Sequence, residues 1–366
     1  MVKLRVGIIF GGSSMEHEIS ILSAKNIVYF IDKKCFEVIL LMIDKQGKWY
    51  VNDLSSCSLE NVDFNSVDLF SDLVKNSINN VSLFLGKFPH QFAYFDNFNS
   101  LLKIDVIFPV VHGEIGEDGT LQGLLHMSNL PFVGSGVLGS AIGMDKDITK
   151  RLLRAYDLKV TPSMTLFYND HVDLKFEYFA DILGCPLFIK PVNQGSSIGI
   201  SKVFNENDFN QALTLAFSFS SKILLESVII GRELSCAVLG NTALCTSLCG
   251  EVLFHNGFYN YQRKNIDNES VKLIIPARIN DQIALKIRCI SKRVFKILNC
   301  LGMARIDFFL TQDNQIMINE VNTHPGFTLN SIYPKLWASS GLCCTMLITR
   351  LIELAIELHN NKNDKT

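Results

Sequence analysis

A chain of 366 residues, 48% hydrophobic and 19% charged, is long enough for two or three domains with sizeable cores. Its formal net charge of −2 provides no basic field for nucleic acid. Ten irregularly spaced cysteines with no Cys-x-x-Cys pair exclude a zinc ribbon and read as reduced cysteines of a cytoplasmic protein.

The chain reaches a Gly-Gly turn within its first dozen residues, too short an apolar run for a signal peptide. The apolar run from Leu342 to Leu358 is broken by Arg350, Glu353 and Glu357, so it predicts an amphipathic helix and no membrane span. Leu4–Phe10 reads as a buried strand ending at Gly11-Gly12-Ser13-Ser14, and Glu16–Ile31 as the helix that follows. Strand, glycine turn and helix open many α/β ligand-binding domains, a weak signal by itself. Phe36–Ile43 and Ile104–Val111 are further strands. Between them, residues 52–100 are rich in Asn, Ser and Phe without a clear period, a variable excursion with no functional signal.

His112-Gly-Glu-Ile-Gly-Glu-Asp-Gly-Thr-Leu-Gln-Gly123 leaves the end of a strand, where ligands of α/β sheets usually bind. Glu117 and Asp118 fit structural roles, with Asp118 or Thr120 as cap of a helix beginning near Leu121. His112 is either hydrogen-bonded in place or looks into the same mouth as Glu16. Pro131 starts a glycine-rich connection, and Met144-Asp-Lys146 opens a helix at a domain boundary. Leu187-Phe-Ile-Lys190-Pro is a strand ending in lysine. The loop Asn193-Gln-Gly-Ser-Ser-Ile-Gly199 and the strand Ile200–Phe204 complete a flap, either a plain turn or a cover for phosphates. The strand Ile223–Glu226 turns at Glu226–Glu233 into Leu234–Leu239, a shape able to hold a flat heterocycle. Phe258–Ser270, with Tyr259, Tyr261, Arg263 and Lys264, is a surface loop or a lid. Residues 279–299 form a helix with a core-packing stripe.

Ala304–Gly326 reads as two apolar strands joined by a turn centred on Asp313-Asn314. A regular hairpin sets Asp307 opposite Glu320 and Arg305 opposite Asn322, all four on one face. Opposed carboxylates repel. They are either solvated on a surface or neutralised by a divalent cation, and an all-oxygen donor set suits Mg²⁺ or Mn²⁺.

Taken in order, the motifs resemble the D-alanine–D-alanine ligases of the ATP-grasp superfamily over nearly the full length. They are Gly-Gly-Ser-Ser-Met-Glu16-His-Glu-Ile-Ser, the His112-Gly-Glu-Ile-Gly-Glu-Asp-Gly run, Gly-Met-Asp-Lys146, Ile-Lys190-Pro, Gln-Gly-Ser196-Ser-Ile-Gly and Arg305-Ile-Asp307 through Asn322-Thr-His-Pro-Gly. The resemblance implies an α/β protein, α+β in its C-terminal half: an open N-terminal α/β domain over 1–143, then a two-lobed ATP-grasp fold over 144–228 and 229–366. The implied reaction joins two D-alanines at the expense of ATP, through a D-alanyl phosphate, for peptidoglycan precursors. A D-alanine–D-lactate ligase is the runner-up. By resemblance Lys146, Lys190, Ser196, Ser197, Glu226, Ser227, Ile229, Glu233, Lys264, Asn319 and Glu320 bind ATP. Asp307, Glu320 and Asn322 would hold two Mg²⁺. Glu16 and His112 would meet the first D-alanine, Arg305 and the Gly326 N–H an oxyanion, and Ser331 and Ile332 the second D-alanine. The family also suggests a homodimer. Three positions depart from its pattern: His17 is commonly arginine, Ser227 is often lysine, and Asn265 replaces the lid tyrosine that bonds the Ser196 hydroxyl.

Overall fold

The computed structural model describes residues 3–53, 81–86, 92–94, 97–170, 174–254 and 271–363. Two almost wholly apolar strands, β1 (Leu4–Gly11) and β2 (Phe36–Ile43), pair in parallel around the crossover helix α1 (His17–Phe30). β3 (Trp49–Asp53) closes one edge antiparallel to β2. A three-stranded patch of β4 (Val81–Leu83), β5 (Phe92–Tyr94) and β6 (Asn97–Leu102) precedes β7 (Val106–Pro109), which lies parallel to β1. The resulting order is β3-β2-β1-β7. Parallel strands covered on both faces need apolar residues at every position. Thus Val6, Ile8 and Phe10 enter one core, while Ile9, Ile39 and Leu41 enter another with Leu121 and Leu125 of α2 (Thr120–Met127). Gly119, left-handed at φ 97°, is the cap of α2 in place of Asp118 or Thr120; Asp118 stands one residue earlier and accepts from the Thr120 N–H at 2.8 Å.

The glycine-rich connection after Pro131 contains a helix that the sequence pattern conceals, α3 (Val137–Met144). Its glycines are there for contact. A Cβ on Gly139 would lie 2.5 Å from the Asn299 carbonyl oxygen, and one on Gly143 2.5 Å from Thr323 Cγ2. Asp145 then caps α4 (Lys146–Ala155), its side chain accepting from the Ile148 N–H.

A second, antiparallel sheet is built from β8 (Ser163–Phe167), β9 (Leu187–Pro191), β10 (Ser201–Val203) and β11 (Lys222–Ser227), in the order β10-β9-β11-β8. Helices α5 (Phe176–Leu183) and α6 (Glu206–Phe217) cover it, with Phe179 stacked on Phe209.

The third sheet has the order β15-β14-β12-β16-β17, with β13 (Cys245–Thr246) also on β12. Its strands are β12 (Gly231–Gly240), β14 (Gly250–Phe254), β15 (Val271–Ile274), β16 (Gly302–Thr311) and β17 (Ile316–Asn322). One face, with Cys236, Val238, Ile306 and Phe308, packs on α7 (Asp281–Ile297) through Ile287 and Val294. The opposite face changes character along its length. Ala237, Leu239 and Met303 are buried with α8 (Ile332–Ser339) and α9 (Cys344–Asn363). Beyond that cover the same face continues as Ser235, Glu233, Arg305 and Asp307.

The β16–β17 hairpin is not regular. Its turn spans three residues, the Thr311 N–H donating to the Gln315 carbonyl with Asn314 left-handed at φ 60°. A bulge at Asn319 restores the lost phase, so Phe308 faces Ile318 while Asp307 faces Glu320 and Arg305 faces Asn322. The two irregularities cancel.

Phe327, fully buried after β17, ties this sheet to the first. Its N–H donates to Ser23 Oγ at 3.2 Å, its carbonyl accepts from Asn26 Nδ2 at 2.6 Å, and its ring meets Phe108 and Tyr333 edgewise or tilted. Replacing it by alanine removes packing between α1, β7 and α8. Phe327→Ala lowers unfolding stability by about 3–5 kcal/mol in urea; a loss under about 1 kcal/mol contradicts this packing role.

Candidate active site

At the uncovered end of the third sheet, Ser235 stands opposite Asp307 on β16, and Asp307 opposite Glu320 on β17. Ser235 Oγ donates to Asp307 Oδ1 at 2.6 Å, and the Arg305 guanidinium donates to the same carboxylate at 2.7–3.0 Å. Glu233, two residues before Ser235 on the same face, is pushed up to about 7 by burial and by the charges of Asp307 and Glu320. Three carboxylates thus share this end with one guanidinium. The bulge adds Asn319 to the side of β17 that carries Glu320, where the alternation of buried and half-buried residues breaks. These donors are all oxygen, the kind that suits a hard divalent cation, but Asp307 is occupied by Ser235 and Arg305, and among the described residues no group of three or more His, Cys, Asp or Glu side chains is arranged to hold a metal ion.

The second sheet supplies the opposite charge. Lys190 on β9 faces Leu224, and Glu226 on β11 faces Phe188, so Lys190 and Glu226 lie diagonally on one face. Lys190 Nζ is 2.6 Å from Glu226 Oε2. Lys150 of α4 brings its Nζ to 2.9 Å from Oε1, close for charge but poorly aligned as a hydrogen bond. All three residues are buried. Burial by itself would raise the Glu226 carboxyl, yet the two ammoniums hold it at about 2, while burial lowers Lys150 to about 8 against the pull of Glu226. Lys146, one helical turn before Lys150, donates from Nζ to the Gln194 carbonyl at 2.7 Å.

Gln194 belongs to the small-residue loop, where Ser196 and Ser197 are both left-handed, at φ 52° and 62°. Ser196 Oγ donates to Glu16 Oε1, which joins this loop to the start of α1. Gly113 and Gly195 flank the same carboxylate, since a Cβ on either would stand 3.5 Å from Glu16 Oε2. Glu114 accepts from Gln194 Nε2 at 3.1 Å and more weakly from Asn193 Nδ2 at 3.4 Å. The loops of the first sheet therefore clasp the loop of the second.

His112 is buried, its Nδ1 3.1 Å from Glu117 Oε1 and its Nε2 3.3 Å from Ser23 Oγ. The hydrogen-bonded alternative is thus seen, and His112 also borders Gly326. A Cβ there would lie 3.7 Å from His112 Nε2 and 3.0 Å from Ser331 Oγ. Ser331 precedes α8, which begins at Ile332, and its Oγ accepts from the Thr328 N–H. Ser227 gives its backbone N–H to the Pro162 carbonyl, and Ile229 is half-buried in the short turn before β12. Lys264, with Tyr259, Tyr261, Arg263 and Asn265, lies outside the described residues.

Sequence reasoning missed Ser235, Lys150 and Glu114. Lys150 had a local signal, its place on the Lys146 face of one helix. Ser235 had none, because the β12–β16 register joins segments distant in the chain.

A lysine beside the small-residue loop thus stands within electrostatic reach of the acidic sheet end. The family description "D-ala D-ala ligase N-terminus" matches residues 5–135, and "D-ala D-ala ligase C-terminus" matches residues 152–353. D-alanine--D-alanine ligase A of Escherichia coli (strain K12) is 51% identical over 363 residues, covering 99% of this chain and 98% of that protein. D-alanine--D-alanine ligase of Shouchella clausii is 50% identical over 359 residues, covering 98% and 96%. The solved structure of the D-alanine-D-alanine ligase from Coxiella burnetii superposes with a TM-score of 0.86 at 36% identity, covering 99% of this chain and 96% of that one. The chain belongs to the D-alanine–D-alanine ligase family. No helix among the described residues is long and apolar enough to cross a membrane.

The Glu226 pairing has a pH signature. A carboxyl held below its ordinary value of 4.5 contributes stability above that value and loses it as pH falls toward about 2. Acidification through this window lowers the melting temperature of the wild type more steeply than that of Glu226→Gln. Parallel curves contradict the buried pairing.

Proposed function

We infer that the protein ligates two D-alanines to D-alanyl-D-alanine, consuming ATP. The observation that carries this reading is the place of Lys146, within electrostatic reach of Glu320 on one side and of Lys190 and Glu226 on the other. A triphosphate between those groups would meet ammoniums and the acidic sheet end together. The roughly half-identical, full-length relatives support the same substrates, and they favour D-alanine over D-lactate as acceptor.

The residues divide the work as follows. Residues 1–143 form the N-terminal substrate domain, and 144–228 and 229–366 the two lobes that hold ATP. Glu226, Ser227, Ile229 and Glu233 surround adenine and ribose. Lys146 and Lys190 neutralise phosphate oxygens, and the Ser196-Ser197 loop covers them, with Lys264 and Asn319 completing the nucleotide site. Asp307, Glu320 and Asn322 hold two Mg²⁺ or Mn²⁺, whose chemistry when bound is to offset charge on the phosphates. Glu16 takes the ammonium of the first D-alanine, beside His112. A carboxylate oxygen of that first D-alanine bonds to the γ-phosphorus as the bond to ADP breaks, leaving D-alanyl phosphate. The amine of the second D-alanine, positioned by Ser331 and Ile332, attacks the acyl carbon. The carbonyl electrons pass onto an oxyanion held by Arg305 and the Gly326 N–H; as it collapses, phosphate leaves with its bonding pair and carries off the proton lost by the attacking nitrogen. Position and charge complementarity do the rest, in a cytoplasmic homodimer.

The test is ADP and dipeptide formation by the purified chain with Mg²⁺-ATP and D-alanine, beside mixtures containing L-alanine, D-serine or D-lactate. Equal yields of ADP and D-alanyl-D-alanine from D-alanine alone are expected, with Glu320→Gln inactive. Turnover only with a different acceptor overturns the substrate assignment, and an active Glu320→Gln overturns the metal assignment.

A further inference from the structure

The Lys190 ammonium, which the reaction sends to a phosphate, lies 2.6 Å from a buried carboxylate. Withdrawing it from Glu226 would strand an uncompensated buried charge if nothing replaced it. The replacement is already in place. Lys150 approaches the other carboxylate oxygen at 2.9 Å from a different element, α4, and is only 2% exposed. Among the described residues, Glu226 is its one ion-pair partner. Two ammoniums around one carboxylate leave a buried surplus of one positive charge, which is unfavourable until an anion arrives. Lys146 stands on the same helix face one turn earlier, beside the small-residue loop. One turn of α4 therefore carries two lysines with different tasks.

We propose that Lys150 is a positioning residue for nucleotide binding: as the standing counter-ion of Glu226, it frees Lys190 for the phosphates and keeps Glu226 ionised toward the adenine amino group. This rests on the ATP reading above. Lys150 touches no phosphate; it acts through Glu226. The other charged groups that bear on it are Lys190 and Arg154, both repulsive, which leaves Glu226 as its anchor.

The test is calorimetric binding of MgATP to the full chain, with steady-state kinetics alongside. Lys150→Met weakens MgATP binding about tenfold, the scale of one lost charged contact, and raises the ATP KM while leaving the D-alanine KM within about twofold. In a Glu226→Gln background the same substitution changes MgATP affinity less than about twofold, because nothing is left to compete for Lys190. That second comparison stands even if Lys150→Met alone does not fold, since the double variant buries no unpaired carboxylate. A Lys150→Met chain with near wild-type affinity overturns the proposal. So does a tenfold loss that persists without the Glu226 charge, which would make Lys150 a direct ligand. A wild type that binds no MgATP instead overturns the nucleotide reading itself.

Discussion

The site depends on the opposition of Asp307 and Glu320 across a bulged hairpin. Two carboxylates placed face to face in a sheet repel, and the sheet accepts this because the other face is held by a large core. Ile306, Phe308, Ile318 and Val321 are all buried against α7. A slip of one residue would carry those side chains out and the carboxylates in. The apolar face thus fixes the register that the acidic face would resist. Asn319, the extra residue, lets a three-residue turn coexist with that register.

Charge is segregated by strand alternation along one continuous surface. Where α8 and α9 cover the third sheet its residues are apolar; where they stop, Ser235, Asp307, Glu233 and Glu320 begin. The second sheet balances them with Lys146, Lys150 and Lys190, and loops from the first sheet hold the small-residue loop between the two. Each sheet contributes one kind of group. Phosphate chemistry needs all of them in one place, since a transferring phosphoryl group gains mainly from positioning and neutralisation.

Much of this was legible because it is local. Phe36–Ile43 could be read to the residue from an apolar run with clear ends. The pairing of Asp307 with Glu320 follows from a nearby turn: a regular hairpin gives the same pair as the real one, because the three-residue turn and the bulge at Asn319 cancel. Helix α3 escaped notice because its glycines look like a loop, whereas they permit contact with Asn299 and Thr323. The Lys150–Glu226–Lys190 group was out of reach for a different reason. It requires the β9–β11 register and the docking of α4, neither encoded in a short window. The family resemblance proposes which residues bind ligands, but only the fold shows which of them hold one another in check.

The most direct measurement is a count of bound Mn²⁺ by electron paramagnetic resonance, with ATP present, in wild type and in Asp307→Asn. The account predicts two ions in the wild type. It predicts their loss from the variant, because one of the two opposed carboxylates is then uncharged while the apolar core that sets the register is untouched. A variant that binds the same two ions and turns over ATP normally would contradict the claim that the opposition of Asp307 and Glu320 builds the site.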